Sequence, residues 1–120
     1  MYIISKEFSF DAAHHLLGLP PEHPCSRVHG HTYTVIIELA SIKLNEVGFV
    51  VDYRKLSIVK DFIDSALDHK DLNDFLPMNP TAENIAKYLY DLFKERIPQL
   101  SSVSVKETPK TIAKYSPNFD

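Results

Sequence analysis

The 120 residues contain one cysteine, no excess of basic charge and no long apolar run. A lone cysteine, Cys25, excludes an intramolecular disulfide and fits a reducing, cytoplasmic setting. It also leaves a free thiol to be explained. A net charge of −3 with neutral histidines gives no electrostatic footprint for a nucleic acid. No apolar stretch reaches the roughly 20 residues that span a bilayer, and no signal-peptide pattern opens the chain, so no membrane partner is expected. Repeats, low-complexity tracts and linkers are absent as well. What is present is a single domain, residues 1–120, whose 44% hydrophobic content is enough for an ordinary core.

Hydrophobic periodicity divides the chain into six main elements and one short strand end. Residues 2–10 alternate, with Tyr2, Ile4, Phe8 and Phe10 on one face and Lys6 interrupting it, as in a half-covered strand. Leu16 to Pro24 holds Gly18, Pro20, Pro21 and Pro24 and reads as loop. His31 to Leu39 alternates again, with Tyr33, Val35, Ile37 and Leu39 on the histidine face. Phe49 to Asp52 reads as a short strand end after the Glu46-Val47-Gly48 turn. Leu56, Val59, Ile63 and Ala66 recur at helical spacing and predict a helix over 54–66. Asn79-Pro80-Thr81 reads as a helix start, with proline in the first turn and a run down to about Arg96. Val103–Thr108 and Thr111–Tyr115 read as a hairpin about Pro109-Lys110. The order is ββααββ, and neighbouring strand pairs make it an antiparallel α+β protein.

The chemistry concentrates in Cys25-Ser26-Arg27-Val28-His29-Gly30-His31. Residues two apart on a strand share a face, so His29 and His31 aim at one point. His14 or His15 supplies a third imidazole. Three histidines without a fourth protein ligand are the pattern of a catalytic metal with an open position, although solvent-facing imidazoles at a strand start would give the same spacing. Cys25 sits beside Arg27 and the histidines, surroundings that favour thiolate. It is a base, a nucleophile or a fourth ligand, set against the ordinary alternative of an inert thiol. Asp68-His69 offers an acid/base pair or a polar helix end. Adjacent side chains seldom bond each other, so Asp68 is expected to serve another partner. Glu107 continues the Val103–Val105 stripe. It is either a solvated strand end or a carboxylate kept for an amidine-like N–H pair, such as that of guanine or a pterin.

Several of these segments together resemble the 6-pyruvoyl-tetrahydropterin synthase family. They are Phe10-x-Ala12-Ala13-His14, Cys25-x-x-x-His29-Gly30-His31, Gly48-Phe49-Val50-Val51-Asp52, Leu67-Asp68-His69-x-x-Leu72-Asn73, Asn79-Pro80-Thr81-x-Glu83-Asn84 and Val105-Lys106-Glu107-Thr108. The resemblance covers nearly the whole chain, and its ordered set is far more specific than any one segment. It implies the tunnelling fold, with two helices on one face of the sheet, and a homohexamer of stacked trimers with active sites between subunits. It implies Zn2+ on His14, His29 and His31, catalysis by Cys25, His69 and Asp68, and pterin binding by Glu107 and Thr108.

The three residues between Cys25 and His29 are similar to the 6-carboxy-tetrahydropterin synthases of 7-deazaguanine biosynthesis. The expected reaction converts 7,8-dihydroneopterin triphosphate to 6-carboxy-tetrahydropterin, losing triphosphate and acetaldehyde. The 6-pyruvoyl-forming lyase is the alternative, and a non-catalytic zinc- or pterin-binding protein is a more distant one. Two features depart from the pattern. His15 competes for the metal, and Pro109-Lys110-Thr111 replaces a small-residue turn. Nothing in the sequence chooses among Arg27 and the lysines as triphosphate contacts.

Overall fold

The computed structural model describes residues 1–117. Two long strands, β1 (Tyr2–His14) and β2 (His29–Ser41), pair antiparallel in unbroken register from Tyr2 opposite Ser41 to His14 opposite His29. β3 (Lys70–Asp71) follows a helical segment, and β4 (Leu100–Lys106) and β5 (Ala113–Tyr115) close the chain. The five-stranded sheet has the order β3-β1-β2-β4-β5.

The fold class is α+β, as the pattern predicts, with one correction to the topology. β3 runs parallel to β1, so the sheet is mixed rather than antiparallel. Lys70 and Asp71 carry no alternation that would mark a strand. They are drawn to the edge of β1 because the His69 N–H donates to the Asp11 carbonyl at 2.6 Å.

The predicted helix over 54–66 is a composite. A 3-10 turn (Tyr53–Leu56) leads into α1 (Ser57–Phe62), which opens into a π turn (Ile63–Leu67). The wide turn ends where the Asp68 N–H donates to the Ile63 carbonyl at 2.8 Å. Such π turns commonly re-aim a functional segment, and this one delivers Asp68 and His69 to the sheet edge. A four-residue helix, α2 (Leu72–Phe75), then precedes α3 (Ala82–Phe93). Thr81, not Asn79, caps α3, accepting the Asn84 N–H at 3.1 Å. Pro80 therefore lies outside the first turn. Phe49 to Asp52 forms no strand; it runs as a bend held by Asn45 Oδ1, which accepts the Val47, Gly48 and Phe49 N–H groups.

The core fills the space between the helices and one sheet face. Phe8, Phe10, Tyr33, Val35, Ile37, Leu39, Val103 and Val105 come from the strands, and Leu56, Val59, Ile63, Ile85, Leu89 and Phe93 from the helices. Burying large apolar side chains at about 1.5–3 kcal/mol each drives this packing. Strict alternation explains why one register holds, because a one-residue slip would turn every buried group outward. Among the described residues, no helix is long and apolar enough to cross a membrane.

Candidate active site

The register of β1 and β2 builds the centre of the site. His14 pairs with His29 and Ala12 with His31, so all three imidazoles leave the sheet on the core face, at its end. One ring nitrogen from each histidine lies within 4.8 Å of the others. His14 is fully buried. His15 points elsewhere, and its Nδ1 is buried without a hydrogen-bond partner. The floor under the triad is Tyr33, whose ring meets those of His14 and His31 edge-on at 5.7 and 5.4 Å and stacks on Phe10. Burial, then the nearby Glu107 charge, pushes the Tyr33 phenol far above its usual range, so it stays neutral.

Two backbone carbonyls fix the tautomers. His14 Nδ1 donates to the Pro80 carbonyl at 2.8 Å, and His29 Nδ1 donates to the Arg27 carbonyl at 2.7 Å. A carbonyl only accepts, so both Nδ1 atoms carry hydrogen. In the neutral rings both Nε2 atoms then present lone pairs, and these face each other at 3.0 Å. Burial also lowers the His14 pKa, which disfavours a bridging proton. His31 Nε2 is buried with no hydrogen bond, 3.6 Å from Glu107 Oε2. Three inward ring nitrogens, on rings of which two are held by outer carbonyls, are a donor set consistent with a metal site.

Around this centre lies a cavity of about 360 Å³, lined by His14, His29, His31, Cys25, Arg27 and Glu107 among others. The volume is within the range of small-ligand sites. Cys25 is half-buried and free. It rides on a 3-10 turn, Pro24–Ser26, whose His23 ring accepts the Cys25 N–H at 3.0 Å. Its sulfur is not one of the converging donor atoms. Glu107, one residue past β4, turns its carboxylate toward the histidines rather than outward. Thr108 does not share this cavity. It is exposed and holds the following turn, where its Oγ1 accepts the Lys110 N–H at 3.2 Å.

Asp68 and His69 lie on the other side of His31. A groove of about 600 Å³ is lined by His31, His69, Asp11, Thr32 and Lys70 among others, so His31 is the wall common to both spaces. Contrary to the sequence expectation, Asp68 does bond its neighbour: Asp68 Oδ2 and His69 Nδ1 are 2.9 Å apart. The left-handed backbone of His69, at φ 58°, folds the ring back to make this possible. Asp68 serves a second partner too, since its Oδ1 accepts the Asp11 N–H at 3.0 Å. That bond first, and His69 second, hold the Asp68 carboxyl below its usual range. The chain thus gathers Cys25 and Glu107 with the triad and sets the Asp68–His69 pair in the adjoining groove.

Sequence reasoning did not find the two carbonyl partners, because a carbonyl has no residue signature. It also missed Asn73 and Asn79, whose side chains bond the segment after His14. For Asn79 the available signal was an asparagine ahead of a helix, where capping is the simpler explanation; Asn73 lies within α2.

Comparison with known proteins agrees with this geometry. The sequence model of the 6-pyruvoyl tetrahydropterin synthase family matches residues 3–118. A 6-carboxy-5,6,7,8-tetrahydropterin synthase from Synechocystis is 40% identical, covering 96% of this chain and 93% of the relative. The Bacillus subtilis protein of the same name is 36% identical over 95% of this chain and 84% of its own. The structure of Caenorhabditis elegans 6-pyruvoyl tetrahydropterin synthase superposes with a TM-score of 0.80 at 28% identity, covering 98% of both chains. With its motifs, sheet and histidine triad all in place, the chain belongs to the 6-pyruvoyl tetrahydropterin synthase family.

Proposed function

We propose that this protein is a 6-carboxy-5,6,7,8-tetrahydropterin synthase. It takes 7,8-dihydroneopterin triphosphate and water to the 6-carboxy product, triphosphate and acetaldehyde. The observation that carries this reading is the inward-facing triad, open on one side to the cavity that holds Cys25 and Glu107. The bacterial relatives described above carry the name of this product. The three-residue spacing between Cys25 and His29 is also the one associated with the carboxy-forming enzymes.

The triad suits zinc. Neutral imidazoles are zinc ligands, and two Zn–N bonds of about 2.0–2.1 Å in a tetrahedron place their nitrogens about 3.3 Å apart. The 3.0 Å between His14 Nε2 and His29 Nε2 is close to that. Zinc, when bound, supplies Lewis acidity at the fourth position, stabilising negative charge on a side-chain oxygen of the substrate.

The remaining work falls to the chain. Glu107 grips the 2-amino and N3–H edge of the pterin by two parallel hydrogen bonds. The Cys25 thiolate removes a proton from the substrate side chain. Asp68 stays ionised and holds His69 through Nδ1, which leaves Nε2 free to exchange the second proton. The separation of Cys25 from His69 across His31 on one protomer supports an assembly in which neighbouring subunits complete each site. A homohexamer of two trimers is the proposed form. Thr108 is kept near the pterin as the residue that holds the turn after Glu107.

The direct test is incubation of zinc-loaded protein with 7,8-dihydroneopterin triphosphate, with products identified by mass. A 6-carboxy product with acetaldehyde supports the proposal. A 6-pyruvoyl product assigns the sister reaction to the same residues, and no product at full metal loading refutes a lyase on this substrate. Glu107→Gln is expected to weaken binding of a dihydropterin lacking the triphosphate by about 10- to 100-fold, the weight of a charged hydrogen bond, at unchanged zinc content. Fluorescence titration measures this, and an unchanged affinity removes Glu107 from the pterin site.

A further inference from the structure

Beyond His14 the chain leaves the sheet, yet the next three residues are each pinned. The Asn73 side chain accepts the His15 N–H through Oδ1 at 2.9 Å and donates from Nδ2 to the His15 carbonyl at 3.0 Å. The Asn79 side chain does the same to Leu17, at 2.9 and 3.2 Å. Between them, the Leu16 N–H donates to the Cys25 carbonyl at 2.8 Å. A primary amide offers one acceptor and a donor side by side, as a neighbouring strand would. Two such bonds fix rotation as well as position.

Asn79 is not idle structure of α3. Thr81 provides the cap, and the Asn79 side chain reaches away from its own helix to a residue 62 positions earlier. Its backbone is anchored to the helix start, because the Asn79 carbonyl accepts the Thr81 N–H at 2.9 Å and Asn84 Nδ2 at 3.0 Å. The next residue, Pro80, supplies the carbonyl that orients His14.

We infer that Asn79 is a positioning residue for catalysis: it ties the loop carrying Cys25 to the same helix start that orients the metal ligand His14. Cys25 and the ligand His14 then hold one spacing although they stand 11 positions apart in sequence. The inference rests on the proposed role of Cys25 as base.

The test uses zinc-loaded Asn79→Ala, with Asn79→Asp as a second variant that keeps the size and the acceptor but loses the donor. Zinc per chain, the rate of Cys25 alkylation by iodoacetamide, kcat and KM are measured on both. The expected result is full zinc, faster alkylation, and a kcat lowered about 10- to 100-fold at near-normal KM, the penalty of a misplaced catalytic group. Unchanged alkylation and unchanged kcat overturn the inference. So does loss of zinc, which would show Asn79 acting through His14 alone. Faster alkylation with unchanged kcat upholds the clamp on the loop and refutes Cys25 as the base, so the two readings fail separately. If Asn79→Ala does not fold, Asn79→Asp decides by the same readouts.

Discussion

Cys25→Ala is expected to lower kcat by about 10²- to 10⁴-fold, the usual weight of a general base, with a full complement of metal retained. The sulfur lines the cavity of the triad but is not among the donor atoms that converge there. Removing it therefore takes away a proton acceptor and not a ligand. The loop should survive the change, because its bonds run through the backbone: Cys25 N–H to the His23 ring, and Leu16 N–H to the Cys25 carbonyl. Single-turnover assays on 7,8-dihydroneopterin triphosphate, run beside metal analysis, separate the cases. Loss of metal with the thiol would make Cys25 a fourth ligand and close the site. Turnover at the normal rate would remove Cys25 from the chemistry.

The sequence reading succeeded where a side chain's own character decides its place. Phe8, Phe10, Tyr33, Val35 and Ile37 alternate because one sheet face is covered, so two strands and their shared face were legible. Ile85 and Leu89 revealed α3 for the same reason. It failed where the backbone decides. Lys70 and Asp71 become a strand through the His69–Asp11 bond, and the π turn comes from a hydrogen bond that skips a residue. Neither has a compositional mark. The choice between His14 and His15 lies between these extremes. β1 was ended at Phe10, but continuing its alternation through Ala12 places His14 on the buried face and His15 off it. The Asp68–His69 contact depended on a left-handed residue that is not glycine, which sequence rules disfavour.

His14→Ala should abolish stoichiometric zinc binding and, with it, turnover. His14 is the fully buried member of the triad, and the change to alanine takes away one of the three inward nitrogens. The change also strips the Pro80 carbonyl of its donor, at a cost of about 1–3 kcal/mol for an unsatisfied buried group. Stability alone therefore cannot report on the metal, but a difference of differences can. Chelation should lower the Tm of the parent protein, because it withdraws a ligand that binds only the folded state and leaves the His14 and His29 lone pairs opposed at 3.0 Å. In His14→Ala the same chelator should leave the Tm where it was, since no metal is there to remove. A variant that keeps one zinc per chain and loses Tm on chelation would place the third ligand elsewhere. His15, whose Nδ1 is buried and unpaired one residue away, would be the group to replace next.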